Sequence, residues 1–126
     1  MIERLMAPGE FHRAPYCHAA RAGDFVFVTG QVAADPETGD YVLGDIETET
    51  RRVMDNLVIV LEHAGLTLRD VVAARAFLTR FEEDYETFNR IYAEYMGDEL
   101  PTRTTIGVTA LAAGARVEVD LVAYRG

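Results

Sequence analysis

The stretch that most constrains the fold spans residues 101 to 124 and reads PTRTTIGVTALAAGARVEVDLVAY. It predicts two strands, at about 103–108 and 116–124, joined by a turn of small residues into a terminal hairpin. In the second strand, apolar residues alternate with Arg116, Glu118 and Asp120, which is the period of a strand with one buried face. We therefore expect Glu118 and Asp120 to lie on the sheet face that points away from the core.

Arg103 stands at the start of the first of these two strands, just after Pro101. If the two strands pair, the Arg103 guanidinium and the Glu118 carboxylate come to one end of one sheet face. An arginine can grip a carboxylate through two parallel hydrogen bonds, and a glutamate can hold or activate a water. The two groups suit hydrolysis of a small carboxylate-bearing substrate. The same pattern is also typical of a solvated surface pair, which contributes little to stability.

Strands and helices alternate through the rest of the chain. Aromatic and β-branched residues predict strands at 25–29 and 71–79, and a short first strand is predicted at 2–6. Because hairpins are expected at both ends, we predict one α+β domain over residues 1–126, a sheet with two helices on one face.

Two helices are predicted between these strands. Asp45 can cap the first helix, whose apolar residues recur at helical spacing until Gly65 stops it. The segment 79–82, TRFE, has the form of a capping box for the second helix. That helix carries an aromatic stripe, which we interpret as core packing, and it ends at Gly97.

Composition excludes several classes of function. The net charge of −9, from 12 basic and 21 acidic residues, repels nucleic acid and anionic membranes. No apolar run approaches membrane-spanning length, and the first residues do not resemble a secretory signal, so a cytoplasmic location is expected.

Metal and thiol chemistry are not expected either. Cys17 is the one cysteine in the sequence, so no internal disulfide can form. His12, His18 and His63 have no recognised metal-ligand spacing and are interpreted as surface or packing residues. Cys17 and His18 are adjacent on a segment expected to be extended, so their side chains should point to opposite sides and not act together.

Several motifs, in order and at matching separations, resemble the RidA (YjgF) family over nearly the whole chain. The strongest is P-x-R at 101–103 followed by Leu111, Gly114 and V-E-V-D at 117–120. The others are 14–16 (APY), 28–31 (VTGQ), 35–39 (DPETG), 56–57 (NL), 64–66 (AGL) and 88–92, with Phe88, Asn89 and Tyr92.

The resemblance implies a chorismate-mutase-like (RidA-type) fold with one mixed, mostly antiparallel sheet. It also implies a homotrimer with active sites between subunits and no metal or organic cofactor. The implied activity is that of a 2-iminobutanoate/2-iminopropanoate deaminase, which hydrolyses reactive 2-imino acids and enamines to 2-oxo acids and ammonia. These compounds are released by pyridoxal-phosphate enzymes, so the implied role is control of metabolite damage.

Transferred onto this sequence, the resemblance implies that Arg103 clamps the substrate carboxylate and that Glu118 positions water. The remaining pocket residues it implies are Tyr16, Thr29, Asn89 and Thr105. Three positions depart from the family pattern. Thr29 replaces a common serine but keeps the hydroxyl. Many relatives carry cysteine where this chain has Thr105, and many carry proline where it has Ala112.

Two alternatives stay open on the sequence. One is a related enzyme on the same scaffold that acts on a larger enamine such as 2-aminomuconate. The other is a module without turnover that binds 2-oxo acids or unfolded chains.

Overall fold

The computed structural model describes residues 1–9 and 14–126. The described residues form a six-stranded sheet, two α-helices and two short 3-10 turns. The strands are β1 (Ile2–Leu5), β2 (Ala19–Ala22), β3 (Phe25–Gln31), β4 (Val71–Leu78), β5 (Thr102–Gly107) and β6 (Val117–Tyr124). The helices are α1 (Ile46–His63) and α2 (Phe81–Met96), and the turns are Leu68–Asp70 and Ala112–Gly114.

The strand order across the sheet is β1-β2-β3-β6-β4-β5. Neighbouring strands are antiparallel except for β4 and β5, which are parallel. Both helices pack together on one face of the sheet. The predicted fold class, a mixed and mostly antiparallel sheet with two helices on one face, is therefore confirmed.

The predicted terminal hairpin is wrong, because β5 and β6 are not neighbours. The helix α2 carries the chain from β4 to β5, and such a crossover places the two strands parallel and side by side. Strand β6 then pairs with β3 on one side and β4 on the other, so both of its edges are occupied. The small-residue segment after β5 therefore crosses over β4 instead of forming a tight turn.

The beginnings of the two helices differ. The Asp45 side chain accepts a hydrogen bond from the Thr48 backbone N–H at 2.8 Å, so the predicted cap of α1 is confirmed. The predicted capping box of α2 is wrong. Arg80 occupies the cap position without a side-chain bond, and the Thr79 hydroxyl donates instead to the Ala115 carbonyl at 3.2 Å. Strand β6 thereby attaches to the start of α2.

A second attachment at the same end is a buried ion pair. Arg116, predicted to face outward, instead donates from Nη2 and Nε to the Asp84 carboxylate at 2.6 and 3.0 Å. Its backbone N–H donates to the Glu49 carboxylate at 2.8 Å. Asp84 and Glu49 are 1% and 0% exposed. The first residue before β6 thus links both helices, which restrains where β6 begins.

The two sheet faces have different characters. Alternate residues of β6 (Val117, Val119, Leu121 and Ala123) are buried under the helices, whereas Glu118 and Asp120 are only half-buried on the other face. The prediction for that strand is confirmed. We call the face away from the helices the open face. It exposes large apolar side chains, namely Phe25, Phe27, Ile106 and Tyr124. Among the described helices, none has the length and apolar character needed to cross a membrane.

Candidate functional site

Glu118 lies in a cleft of about 330 Å³ at one edge of the open face. Strand β6 presents the side chain, and β3 and the loops next to it form the walls. The lining residues are Ala14, Tyr16, Thr29, Gly30, Val32, Tyr41, Ala112 and Glu118. Three predicted site residues, Tyr16, Thr29 and Glu118, are thus brought together. We call this the glutamate cleft.

Gly30 allows the Glu118 carboxylate to lie directly against β3. A Cβ added to Gly30 would stand 2.3 Å from Oε2 of Glu118 and 2.9 Å from its Cδ. Any residue larger than glycine would therefore displace the carboxylate. The strand pairing of β3 with β6 is irregular between Val28 and Gln31, which is where this close approach occurs. The sequence motif signalled Gly30, but no pattern in the sequence revealed its contact with Glu118.

The surroundings of Glu118 favour its protonated form more than water does. Burial raises the pKa of Glu118, the nearby Asp120 carboxylate raises that pKa further, and the Arg75 guanidinium lowers it. In the part of the chain that the structure describes, the Glu118 carboxylate accepts no hydrogen bond and forms no ion pair. A half-buried carboxylate with a raised pKa and no partner is suited to take up and return a proton.

Arg103 lies in a second cleft, of about 270 Å³, between β5 and α2. Its Nη2 donates to the Asn89 side-chain oxygen at 2.7 Å. The residues that line this cleft are Asn89, Tyr92, Ala93, Leu100, Pro101 and Arg103. We call it the arginine cleft.

Aromatic rings of α2 hold the Arg103 guanidinium. Its central carbon lies 4.9 Å from the ring centre of Tyr92, 5.4 Å from that of Phe88 and 5.9 Å from that of Tyr85. Such contacts orient a guanidinium and limit its contact with water. The aromatic stripe in the sequence predicted core packing only. The one signal of a second role was the position of Asn89 beside their stripe.

Arg103 and Glu118 do not share a sheet face, so their expected meeting within one chain is wrong. In the strand pairing, Arg103 is opposite Ala74 of β4, and Glu118 is opposite Phe77. Residues three apart in a strand point to opposite faces. Because β4 lies between β5 and β6, the Arg103 side chain joins the helix face while that of Glu118 joins the open face. The two predicted catalytic residues of one chain therefore lie in two separate clefts.

The remaining predicted residues lie in or next to these two clefts. The Thr29 hydroxyl donates to the Cys17 carbonyl at 2.6 Å, which holds the end of β3 next to the glutamate cleft. Thr105 follows Arg103 by two residues on the same strand, and its buried hydroxyl has no partner among the described residues. Asn89 holds Arg103.

Histidine and cysteine show no site of their own in the described ranges. The buried ring of His18 accepts a hydrogen bond from the Ala7 N–H at 2.9 Å, as expected for a packing residue. His63 lies in the last turn of α1, and His12 is outside the described residues. Across residues 1–9 and 14–126, no three His, Cys, Asp or Glu side chains cluster as metal ligands would.

Comparison with known proteins agrees with the motifs. Residues 9–125 match the family described as Endoribonuclease L-PSP, which is the RidA (YjgF) family. The chain belongs to this family. A RutC family protein of Pyrococcus abyssi is 40% identical over 111 residues, 88% of this chain and 87% of the relative. The human 2-iminobutanoate/2-iminopropanoate deaminase is 31% identical over 126 residues, 100% of this chain and 90% of the relative.

Solved structures of RidA-like chains superpose closely on this one. The yeast protein YEO7 has a TM-score of 0.94 at 27% identity, with 100% of both chains covered. Escherichia coli TdcF with bound serine has a TM-score of 0.86 at 28% identity, with 100% of this chain and 98% of that chain covered. The shared fold places the two clefts of this chain on a scaffold common to the RidA family.

Proposed function

We propose that this protein is a deaminase of 2-imino acids, which it hydrolyses to 2-oxo acids and ammonia. The observation that carries the proposal is the pair of half-sites: an anchored guanidinium in one cleft and an unpaired, half-buried carboxylate in the other. Substrates of this class are 2-iminopropanoate, its enamine 2-aminoacrylate, and 2-iminobutanoate. The naming of the human relative as a 2-iminobutanoate/2-iminopropanoate deaminase supports this substrate class.

Arg103 would bind the substrate carboxylate. One N–H group of Arg103 donates to Asn89, and no carboxylate in the described residues pairs with Arg103. A guanidinium has five N–H donors in a planar fork that matches a carboxylate. The structure of TdcF with bound serine supports a ligand of amino-acid size on this scaffold. Arg103 would also offset the repulsion between the substrate and Glu118, which is ~4 kcal/mol for two charges about 4 Å apart at an effective dielectric near 20.

Glu118 would activate the attacking water. Starting from the protonated imine, the water oxygen bonds to C2 while the C=N π electrons move to the nitrogen, and Glu118 takes one water proton, which gives a neutral carbinolamine. Glu118 then returns this proton to the nitrogen, and the C–N bond breaks so that ammonia leaves. Glu118 takes the hydroxyl proton as the carbonyl forms and releases it to solvent. A protonated imine is already electrophilic, so orientation and a placed water suffice, and no metal or organic cofactor is needed.

The complete site would form between copies of the chain, because Arg103 and Glu118 face opposite sides of one sheet. We propose a homotrimer in which the open face is covered by identical subunits. An uncovered sheet face with several large apolar side chains favours burial over exposure. Each site would then combine the arginine cleft of one subunit with the glutamate cleft of its neighbour. The other proposed properties are a cytoplasmic location and no nucleic-acid or membrane partner. The net charge of −9 supports the absence of these anionic partners.

The two alternative functions, an enzyme acting on a larger enamine and a module without turnover, can each be tested. A larger enamine such as 2-aminomuconate would compete for the same clefts on the same scaffold, and a substrate panel separates it from the small imino acids. A binding or holdase module would bind 2-oxo acids without accelerating hydrolysis.

The direct experiment measures ammonia release from freshly generated 2-imino acids, with the spontaneous hydrolysis subtracted. We expect acceleration by the wild type and loss of most of it in Glu118→Gln, with Glu99→Gln as a surface control of the same chemistry. Light scattering should give about 42 kDa, three times the 14.0 kDa chain. Binding of a 2-oxo acid without any acceleration would refute the enzymatic proposal, and a monomer mass at micromolar concentration would refute the shared site.

A further inference from the structure

A two-pronged ion pair crosses the open face next to Glu118. Arg75 of β4 donates from Nη2 to Asp120 at 2.7 Å and from Nε to both carboxylate oxygens at 3.1 Å. Arg75 and Asp120 are direct partners in the strand pairing of β4 with β6. The Arg75 side chain is 67% exposed and that of Asp120 is 17% exposed. The alternation in β6 predicted the face of Asp120 but no role for it, and no sequence pattern singled out Arg75.

Arg75 lies within reach of two carboxylates, those of Asp120 and Glu118. Glu118 precedes Asp120 by two residues on the same face of β6, so it is the diagonal neighbour of Arg75. Diagonal neighbours in a sheet are about 7–8 Å apart, within reach of a long side chain. The charges of Arg75 and Glu118 already influence each other's pKa. Nevertheless, both Nε and Nη2 of Arg75 donate to Asp120, and Arg75 donates no hydrogen bond to Glu118.

We propose that Asp120 is a positioning residue that holds Arg75 away from Glu118, so that the Glu118 carboxylate stays unpaired and able to accept a proton from water. This inference rests on the proposed deaminase function for its effect on turnover. Its structural part, the competition of two carboxylates for one guanidinium, does not depend on that function.

Few charged groups compete with this arrangement in the described residues. Asp120 on β6 and Arg75 on β4 are the charged neighbours that act on Glu118. On the β3 side, the cleft is lined by Thr29 and Gly30, which carry no charge. The other titratable groups lining the cleft are the phenols of Tyr16 and Tyr41. Among the described residues of one chain, the state of Glu118 therefore depends mainly on which carboxylate Arg75 contacts. In the proposed trimer the Arg103 of the neighbouring subunit adds a further cation, which all the variants below retain.

Removal of either partner of the pair should act on Glu118 in opposite directions. In Asp120→Asn, one negative charge is lost and Arg75 is released to pair with Glu118, so the pKa of Glu118 should fall. In Arg75→Gln, the opposing cation is lost while the Asp120 carboxylate remains, so the pKa of Glu118 should rise. The double variant loses both charges, and Glu118 should again be unpaired. Because both charges also act on Glu118 through space, the opposite signs alone do not identify the competition. If Asp120 acts only through its charge, Asp120→Asn should shift the pKa of Glu118 equally with and without Arg75. If Asp120 restrains Arg75, the shift should be larger when Arg75 is present.

The experiment follows ammonia release against pH in the wild type, the two single variants and the double variant. For Asp120→Asn we expect a fall in kcat of about tenfold or more, because a carboxylate held by Arg75 is a poor base, with the acid limb moved to lower pH. For Arg75→Gln the acid limb should move to higher pH. The double variant should recover most of the turnover lost in Asp120→Asn. The control Asp24→Asn also removes one negative charge, but at the far end of the sheet, and should change neither kcat nor the position of the acid limb.

A second measurement separates the two proposals. Carbon-13 NMR of glutamate carboxyls, with the Glu118 signal assigned by its loss in Glu118→Gln, reports the titration of Glu118 without turnover. A larger shift of its midpoint on Asp120→Asn in the presence of Arg75 than in the Arg75→Gln background would support the inference even if no imine were hydrolysed, and the deaminase proposal alone would then fail. An equal shift on Asp120→Asn with and without Arg75, or an unchanged midpoint in both single variants, would overturn the role of Asp120. Active enzyme with that result would leave the deaminase proposal standing.

Discussion

Gly30→Ala tests whether the position of Glu118 governs turnover. The added Cβ would stand 2.3 Å from Oε2 of Glu118, whereas ordinary contacts begin at 3.4 Å, so the carboxylate must retreat by about 1.1 Å. A displacement of about 1 Å in a catalytic group can cost about 10²-fold in rate. We therefore expect kcat to fall about a hundredfold in Gly30→Ala.

Folding should tolerate the same change. Gly30 does not have a positive φ, so alanine can adopt its backbone conformation without strain. The gain from a less flexible unfolded chain is about 0.4–1 kcal/mol. The cost of moving the Glu118 side chain off its preferred rotamer is about 0.5–1.5 kcal/mol. These effects oppose each other, so the free energy of unfolding should change by no more than about 1 kcal/mol.

The assay is ammonia release at saturating imine, together with thermal unfolding. Gly107→Ala is the matched control, since its Cβ would meet Phe81 at 3.2 Å and has no contact with Glu118. Adding Glu118→Gln to Gly30→Ala should lower kcat little further, because both changes act on one group. Wild-type turnover in a folded, assembled Gly30→Ala protein would refute the reasoning.

Three further predictions follow from the clefts and the buried ion pair. Arg103→Lys keeps the charge but loses the planar fork, so calorimetry should show that the affinity for a 2-oxo acid falls by about tenfold or more. Unchanged affinity would contradict the role of Arg103 in binding the substrate carboxylate. Burial raises the pKa of Glu118 above 4.5, so the folded state binds the Glu118 proton more readily than the unfolded state does. The folded state therefore loses stability as the pH rises from 4.5 through the raised pKa of Glu118. Glu118→Gln should therefore melt at a higher temperature than the wild type near neutral pH, with the difference gone by about pH 4; a lower melting temperature near neutral pH would argue against the desolvated carboxylate. Arg116→Gln leaves the buried Asp84 carboxylate unpaired and should lower the free energy of unfolding by about 3–5 kcal/mol in denaturant titrations. A loss below 1 kcal/mol would show that water replaces the guanidinium.

The elements that depend on local patterns were predictable from the sequence. The alternation in β6 correctly assigned Glu118 and Asp120 to the open face, and Asp45 correctly marked the start of α1. Both features arise from residues within one turn or one strand. The side chains of the site could therefore be chosen from sequence motifs.

Strand order and its consequences could not be predicted in the same way. Two strands adjacent in sequence usually pair, but α2 between β4 and β5 imposes a parallel crossover that puts β4 between β5 and β6. This crossover places Arg103 on the sheet face opposite Glu118. The pairing of Arg75 with Asp120 likewise joins residues 45 positions apart, and only the strand register reveals it.

In the proposed homotrimer, the placement of Arg103 and Glu118 on opposite faces of one sheet would have a genetic consequence. One mutant allele lacking Arg103 and another lacking Glu118 would each encode an inactive protein. A cell that expresses both would assemble mixed trimers, in which some sites combine the intact arginine cleft of one product with the intact glutamate cleft of the other. Random mixing in equal amounts restores about one quarter of the sites, so the two recessive alleles should complement each other.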